Sequence, residues 1–165
     1  MKMRDINMAI AKTIKEDLDQ MGIHYDVIDH PQSDSSRGSA YSAHIPAEQL
    51  AKGVVLKDQQ GYVLAVLPAT RNLNLKTLED HLGRRLEFED EKVLPKLFPD
   101  CKLGAVPAIG SAYDMDTIVD KSLLSAPEIY FESGDHEKLI HIKESEFEKL
   151  MQGAKYDRFS MRDEL

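Results

Sequence analysis

The stretch AKGVVLKDQQGYVLAVLP, residues 51–68, decides the fold. Two apolar runs, residues 53–56 and residues 62–68, flank the polar turn signal DQQG at residues 58–61. Apolar runs joined by such a turn predict an antiparallel β-hairpin. Because the middles of both runs are almost wholly apolar, both faces of the hairpin should be covered, which places it at the centre of a sheet.

Helical and strand patterns alternate irregularly around this hairpin. The apolar spacing predicts a first helix from Asp5 to Met21 and a second over residues 74–81, closed by Gly83. Ser145 and Glu148 have the spacing of a capping box, which predicts a last helix that ends at about Gln152. Further strands are predicted at residues 23–28, 85–88, 113–119, 128–132 and 138–142, and a short helical segment at residues 90–98. This order lacks regular βαβ spacing, so it predicts an α+β fold with a mixed, mostly antiparallel sheet flanked by helices.

The length of 165 residues suits one domain and is too short for two ordinary ones. With 42% apolar and 30% charged residues, the chain has the composition of a globular protein and not of a disordered one. Residues 1–152 are predicted to form this single domain. Residues 153–165 show no hydrophobic period, so we expect a flexible C-terminal tail.

Composition also excludes several classes of protein. No apolar run approaches the roughly 18 residues of a membrane-spanning helix, and a single cysteine, Cys101, excludes a disulfide framework. The N-terminal segment resembles neither a signal peptide nor a transit peptide, so a cytoplasmic location is expected. The net charge of −8, from 21 basic and 29 acidic residues, argues against a general nucleic-acid binder. Neither DNA nor a membrane is expected as a partner.

Lys52 is the first candidate for chemistry, since the sequence contains no Walker loop, no HExxH and no GxSxG motif. It stands at the start of an apolar strand, where a cation can hold a phosphate or polarise an ester carbonyl. A lysine that extends its ammonium group to solvent from a strand end has the same sequence pattern, and spacing alone favours that interpretation.

The turn from Gly104 to Pro107 is the second candidate. Backbone N–H groups in such a turn can form an oxyanion hole, although Gly and Pro also build ordinary corners between strands. His30, His136 and His141 are candidate bases or ligands, but no pair of them has a recognised metal-ligand spacing. Cys101 has no neighbouring base in the sequence and is expected to be a small core residue.

Three blocks together resemble one known family. AKGVVLKD with the following YVLAVLPATRNLNLKTLEDHLG, then FPDCKLGAVPAIG, then EIYFESGDHEKLIHI, are similar to the YbaK/prolyl-tRNA-synthetase-associated domains, which are aminoacyl-tRNA deacylases. The resemblance runs from about Ile23 to Met151, in the order of the family. It implies a free-standing editing domain that hydrolyses, in trans, the ester between a wrong, small amino acid and the tRNA 3′ end. The implied partners are the aminoacyl-tRNA 3′ end and, as a further candidate, an aminoacyl-tRNA synthetase; no cofactor and no metal is implied.

The resemblance also assigns roles to individual residues. Lys52 matches the lysine of the family, and Gly104 matches the glycine of its GxxxP-type loop, which is one residue shorter here. These two are the implied catalytic residues, in a substrate-assisted attack by water. The implied substrate-binding residues are Ala105, Val106, Pro107, His30, Ser36 and His136, with serines standing where many members have a threonine.

Two other interpretations stay open. The chain could be a non-catalytic module that binds tRNA or a nucleotide and keeps the pocket without turnover. It could also be a metal-dependent hydrolase that uses His30, Asp135 and His136.

Overall fold

The computed structural model describes residues 11–31, 39, 43–102, 106–135 and 137–162. Within these residues four α-helices accompany ten β-strands. The helices are α1 (Lys12–Gln20), α2 (Leu75–Leu82), α3 (Leu94–Leu97) and α4 (Glu144–Leu150). The strands are β1 (Asp26–Asp29), β2 (Leu50–Asp58), β3 (Gly61–Pro68), β4 (Arg71–Leu73), β5 (Glu87–Phe88), β6 (Asp116–Asp120), β7 (Glu128–Glu132), β8 (Lys138–Lys143), β9 (Lys155–Asp157) and β10 (Ser160–Arg162). Short 3₁₀ helices at Ala47–Gln49, Ser111–Tyr113 and Lys121–Ser125 precede β2, β6 and β7.

The β2–β3 hairpin forms as predicted and lies in the middle of the sheet. Its ladder runs from Ala51 opposite Pro68 to Asp58 opposite Gly61. The Asp58 carboxylate accepts the N–H groups of Gln60 and Gly61, at 2.8 and 3.1 Å, and so closes the turn. The main sheet has the order β1-β8-β7-β2-β3-β6-β9, with β5 paired to β2, and β4 pairs with β10 in a separate ribbon.

Antiparallel pairs dominate this sheet, although three pairs are parallel: β2–β7, β3–β6 and β6–β9. Helices lie on both faces. Ile14 of α1 and Phe147 of α4 pack with Phe131 and Ile140 on one face, whereas Leu78 of α2 belongs to a separate apolar cluster on the other face. The mixed, mostly antiparallel α+β fold predicted from the sequence is therefore confirmed.

The first helix differs from its prediction at its start. Instead of at Asp5, α1 begins at Lys12, because Ala11 has an extended backbone (φ −53°, ψ 131°). Residues 1–10 lie outside the described part of the chain. Asp100 caps α1 from a distance, since its Oδ2 accepts the Thr13 N–H at 2.8 Å. A cap supplied by a residue so far away in the chain leaves no local sequence signal.

The capping box predicted for the last helix is wrong. The N-cap of α4 is Lys143, which makes no side-chain cap bond, and Ser145 lies inside the helix. The N–H of Glu144, the first helical residue, is satisfied by the carbonyl of Pro127 at 3.1 Å. A tertiary contact thus replaces the local cap. The strand predicted at residues 128–132 occurs with those bounds, and the other predicted elements occur with shifted ends.

The C-terminal segment is the largest correction. The sequence predicted a flexible tail from residue 153, whereas β9 pairs with β6 and β10 pairs with β4. Between these strands, Phe159 is only 1% exposed. Asp120 accepts the N–H groups of Phe159 and Ser160, at 2.9 and 3.1 Å. One buried side chain between two short strands produces no hydrophobic period in the sequence, so the sequence pattern does not predict these strands.

None of the helices in the described ranges is long and apolar enough to cross a bilayer.

The hairpin turn should make folding stability depend on pH. The bidentate contact with Arg84, at 2.6 and 2.7 Å, lowers the pKa of Asp58 to about 2. A carboxyl group whose pKa is lower in the folded state stabilises the fold above its unfolded pKa, roughly 3.9. This contribution is lost as the pH falls toward 2. We expect the stability difference between the wild type and Asp58→Asn, measured by urea unfolding, to shrink between pH 5 and pH 2.

The matched control for this measurement is Asp116→Asn. Asp116 is the second carboxylate near Arg84, at 3.5 Å, but its side chain is 82% exposed. Its stability difference from the wild type should stay nearly constant over the same pH range. Equal pH dependence of the two variants would contradict the role assigned to Asp58.

Candidate active site

The strand pairing of the sheet is interrupted where β2 and β7 part, and we call this gap between the strands the crevice. The two parallel strands pair at Leu50 with Tyr130 and at Ala51 with Phe131. The same edge of β2 is next paired by β5, at Leu56 and Lys57. Among the described residues, no strand pairs with residues 52–54 on that edge. Since β7 ends at Glu132, this stretch of β2 forms one wall of the crevice.

Lys52 lies at the mouth of this crevice, half-buried on β2. Its position pairs with Leu67 of β3 on one side. On the other side it follows the pair of Ala51 with Phe131, so the register places Glu132 beside it on the same face of the sheet. Glu132 is only 2% exposed. A buried carboxylate is costly without positive charge nearby, and the ammonium group of Lys52 is suited to provide it.

Sequence reasoning missed Glu132. The one available signal was a glutamate at the end of the run EIYFE, whose apolar residues predict a buried strand. Its significance depends on the β2–β7 pairing, which joins segments about 80 residues apart and cannot be deduced from local spacing.

The segment that carries Val106 and Pro107 lies against β2 at Gly53. A Cβ built on Gly53 would lie 3.1 Å from the Pro107 carbonyl oxygen and 3.2 Å from a Val106 methyl carbon. Gly53 therefore permits a close approach that a larger side chain would obstruct. Because successive side chains of a strand alternate, this contact is on the face of β2 opposite to that of the Lys52 side chain. Lys52 and the contact of Val106 and Pro107 with Gly53 therefore lie at adjacent residues of β2.

The start of the same segment is fixed to the end of β7. The Lys102 N–H donates to the Gly134 carbonyl at 2.6 Å. Gly134 has a φ of +110°, and a Cβ there would lie 3.1 Å from the Cys101 sulfur atom. The segment from residue 101 to residue 107, of which residues 103–105 are outside the described ranges, thus connects the two strands that border the crevice.

A buried polar cluster supports this segment. The Tyr113 hydroxyl donates to Asp100 at 2.9 Å, while the other oxygen of Asp100 caps α1 at Thr13. Burial raises the pKa of Asp100, but the hydrogen bonds from Thr13 and Tyr113 outweigh it and hold the pKa below its ordinary value. Burial also raises the pKa of the Cys101 thiol to about 12. A thiol with a raised pKa stays protonated at neutral pH and is a weak nucleophile, which agrees with the structural role expected for Cys101.

His30 follows β1 and is 7% exposed. Its backbone N–H donates to the Glu137 carbonyl at 2.9 Å, and its Nδ1 lies 2.7 Å from the Pro31 carbonyl oxygen. A carbonyl accepts only from a protonated nitrogen, so Nδ1 carries a proton. Nε2 is buried and finds no hydrogen-bond partner within the described residues. This nitrogen is therefore available for a hydrogen bond with a ligand.

The turn after β7 is built by Asp135. One carboxylate oxygen accepts from the Ser133 hydroxyl at 3.0 Å and from the N–H groups of Glu137 and Lys138, each at 2.9 Å. This turn brings Glu137 beside His30, whose N–H donates to the Glu137 carbonyl. In the ranges that the structure describes, no group of three or more His, Cys, Asp or Glu side chains is placed to hold a metal ion.

Four of the residues singled out in the sequence lie outside the described residues: Ser36, Gly104, Ala105 and His136. Of the others, the structure places Lys52, Val106 and Pro107 at β2, and His30 near the turn that follows β7. Their assigned roles stay predictions.

The fold and the crevice define a small α+β domain with a lysine beside an opening in its sheet. Residues 30–150 match the model of the aminoacyl-tRNA editing domain. This match covers more than half of the chain, so the protein belongs to the aminoacyl-tRNA editing domain family, and the resemblance found in the sequence is confirmed. No curated protein is similar enough in sequence to count as a match.

Solved structures with the same fold include three that are informative. A candidate trans-editing enzyme for prolyl tRNA synthetase is 21% identical, with a TM-score of 0.80 over 92% of this chain and 96% of its own. The hypothetical protein APE2540 is 18% identical, with a TM-score of 0.80 over 91% of this chain and 100% of its own. A candidate signal transduction protein from Marinobacter aquaeolei VT8 is 20% identical, with a TM-score of 0.74 over 90% of this chain and 30% of its own. At these identities the likeness concerns the fold.

Proposed function

We propose that this protein is an aminoacyl-tRNA deacylase that hydrolyses, in trans, the ester of a tRNA mischarged with a small amino acid. The observation that carries the proposal is the crevice between β2 and β7, in a chain of the editing-domain family. There Lys52, the lysine implied by the family, lies on β2. The segment of Val106 and Pro107 contacts β2 at the next residue, Gly53.

Hydrolysis of an aminoacyl ester does not need a strong nucleophile from the protein. An aminoacyl ester is already activated, so positioning and charge stabilisation can supply most of the rate enhancement. Water, directed by the substrate's own 2′-hydroxyl, attacks the carbonyl carbon and places negative charge on the carbonyl oxygen. Collapse of this intermediate breaks the bond to the ribose oxygen, which takes up a proton, and releases the amino acid and tRNA.

In this proposal Lys52 stabilises the negative charge, and the backbone of the segment 104–107 orients the aminoacyl carbonyl. Lys52 and Gly53 present opposite faces of β2, so a ligand that reaches both would lie across the edge of β2 at residues 52–54. The buried Nε2 of His30 is available to hold the amino acid or the terminal adenosine. Glu132 acts through Lys52, as a positioning residue whose carboxylate holds the ammonium group in place.

Selection of a small amino acid would rest on size. Pockets distinguish one methylene group by only about 1–3 kcal/mol, which explains why synthetases leave errors that a separate editing domain removes. A substrate held mainly by its 3′ end is also compatible with a net charge of −8, because a single-stranded end needs few cationic contacts.

The proposal is tested with a panel of tRNAs mischarged with Ala, Ser, Cys or Thr. The panel includes the tRNA specific for proline, because one structural neighbour is a candidate trans-editing enzyme for prolyl tRNA synthetase. We expect the purified protein to release the amino acid from at least one member at a rate well above spontaneous hydrolysis. Binding of the panel without any release would favour a non-catalytic module. Rates that fall after treatment with a chelator would instead favour the metal-dependent alternative.

A further inference from the structure

Two arginines stand opposite each other on the β4–β10 ribbon. Arg71 and Arg162 are partners in the antiparallel register. Like charges directly opposite each other on paired strands destabilise the pair. A bound anion would remove this repulsion, so the pair is a candidate for anion recognition.

The guanidinium group of Arg71 is held in place. Its Nε donates to the Ser160 hydroxyl at 2.6 Å, and its Nη2 donates to the Ser160 carbonyl at 3.0 Å. A guanidinium group has five N–H donors. The described residues supply no acceptor for the other three, so an oriented set of donors is available to a ligand.

Both arginines line a cleft of about 650 Å³. Its described walls also contain Ser122, Ser125 and one carboxylate, that of Glu48. The lining therefore carries two positive charges and one negative charge, in a chain whose net charge is −8. Arginine forks match the geometry of phosphate oxygens. The Ser122 and Ser125 hydroxyls already donate to Asp120 and to the Ser122 carbonyl, so the guanidinium groups are the donors that the cleft offers.

The cleft lies close to the Lys52 site. Pro68, which lines it, pairs with Ala51, the residue before Lys52. Gln49, three residues before Lys52, lines it as well, and three residues of strand span about 10 Å. Leu73 of β4 packs against the apolar cluster that contains Leu67, the partner of Lys52 in the ladder. The ribbon thus covers the same face of the sheet that carries Lys52.

We infer that this cleft binds phosphate groups of the tRNA acceptor strand while the 3′-terminal ester lies at Lys52. The inference rests on the proposed function and extends it to a second contact with the substrate. Because β10 lies beyond residues 30–150, the contact is contributed partly by a segment outside the family match. A cationic cleft next to the crevice also gives an acidic protein a specific site for RNA.

The test compares two substrates of one amino acid: the complete aminoacyl-tRNA and the same amino acid on the dinucleotide cytidylyl-adenosine. For Arg162→Gln, the ratio of kcat/KM on tRNA to kcat/KM on the dinucleotide should fall about five-fold at low salt. The slope of log(kcat/KM) on tRNA against log[salt] should decrease by about 0.7–1, the contribution of one phosphate contact. Arg162→Lys should restore part of both effects, because the charge is retained.

The matched control is Arg85→Gln, an equal change of charge at an exposed arginine near the turn end of the hairpin. It should leave the ratio and the salt slope unchanged. The inference is overturned if Arg162→Gln behaves like this control, or if it reduces activity on both substrates equally. A wild type that hydrolyses neither substrate would refute the proposed activity alone. The cleft is then tested by filter binding of uncharged tRNA, where Arg162→Gln must weaken binding and Arg85→Gln must not.

Discussion

Replacing Lys52 by methionine is expected to lower kcat/KM for deacylation of a mischarged tRNA by about 10²–10³-fold, the loss typical of removing one donor that stabilises a developing oxyanion. Methionine keeps much of the apolar stem of the lysine, which packs in a half-buried position on β2, and removes only the charge. Single-turnover deacylation assays measure this effect. Activity retained within a few-fold of the wild type would remove Lys52 from the mechanism.

The Lys52→Met variant should also affect stability, because Glu132 lies beside Lys52. Its buried carboxylate lies beside Lys52 in the register, so removal of the positive charge alone should also lower the free energy of unfolding. The double variant Lys52→Met/Glu132→Gln removes both charges. We expect it to recover stability relative to Lys52→Met but to stay inactive. Recovery of activity in the double variant would instead mean that Lys52 serves only to neutralise Glu132.

Replacing Phe159 by alanine is expected to lower the free energy of unfolding by about 3–5 kcal/mol, the usual cost of truncating a buried phenylalanine. Phe159 is 1% exposed and packs in the cluster that contains Leu67 and Ile118. Because a domain is stabilised by only about 5–15 kcal/mol in total, the variant should be close to unfolding. Urea unfolding monitored by circular dichroism measures the change.

Met161→Ala is the matched control for Phe159→Ala. Met161 lies on β10 but is 49% exposed. Its truncation should cost no more than about 0.5 kcal/mol, as for most surface substitutions. If both variants lost the same small amount, the C-terminal segment would not belong to the core, and the prediction of a flexible tail would be correct after all.

Asp120 holds the backbone of the C-terminal segment, because its carboxylate accepts hydrogen bonds from the N–H groups of Phe159 and Ser160. Burial raises the pKa of Asp120, but the bonds from Ser122, Phe159 and Ser160 outweigh burial and keep the pKa below its ordinary value. The carboxylate therefore stays charged at neutral pH. It joins the end of β6 to the loop between β9 and β10.

Local pattern was sufficient for the elements that are defined by their own residues. The apolar runs and the turn at Asp58 predicted the hairpin and its central place, since hydrophobic period and turn chemistry act over only a few residues. The helix over residues 74–81 was likewise predicted within one residue, because Asn74 caps it locally and Gly83 ends it. The family resemblance pointed to Lys52 for the same reason: its signal is a local motif.

What the sequence by itself determined is therefore the α+β class and the hairpin, while the role of Lys52 stays a prediction. Only the tertiary structure decided that β7 lies beside β2 and ends at Glu132, and that Phe159 is buried. It likewise placed Arg162 opposite Arg71. Each of these depends on contacts between segments far apart in the chain, whose formation is favoured by the burial of shared surface and not by any preference of the neighbouring residues.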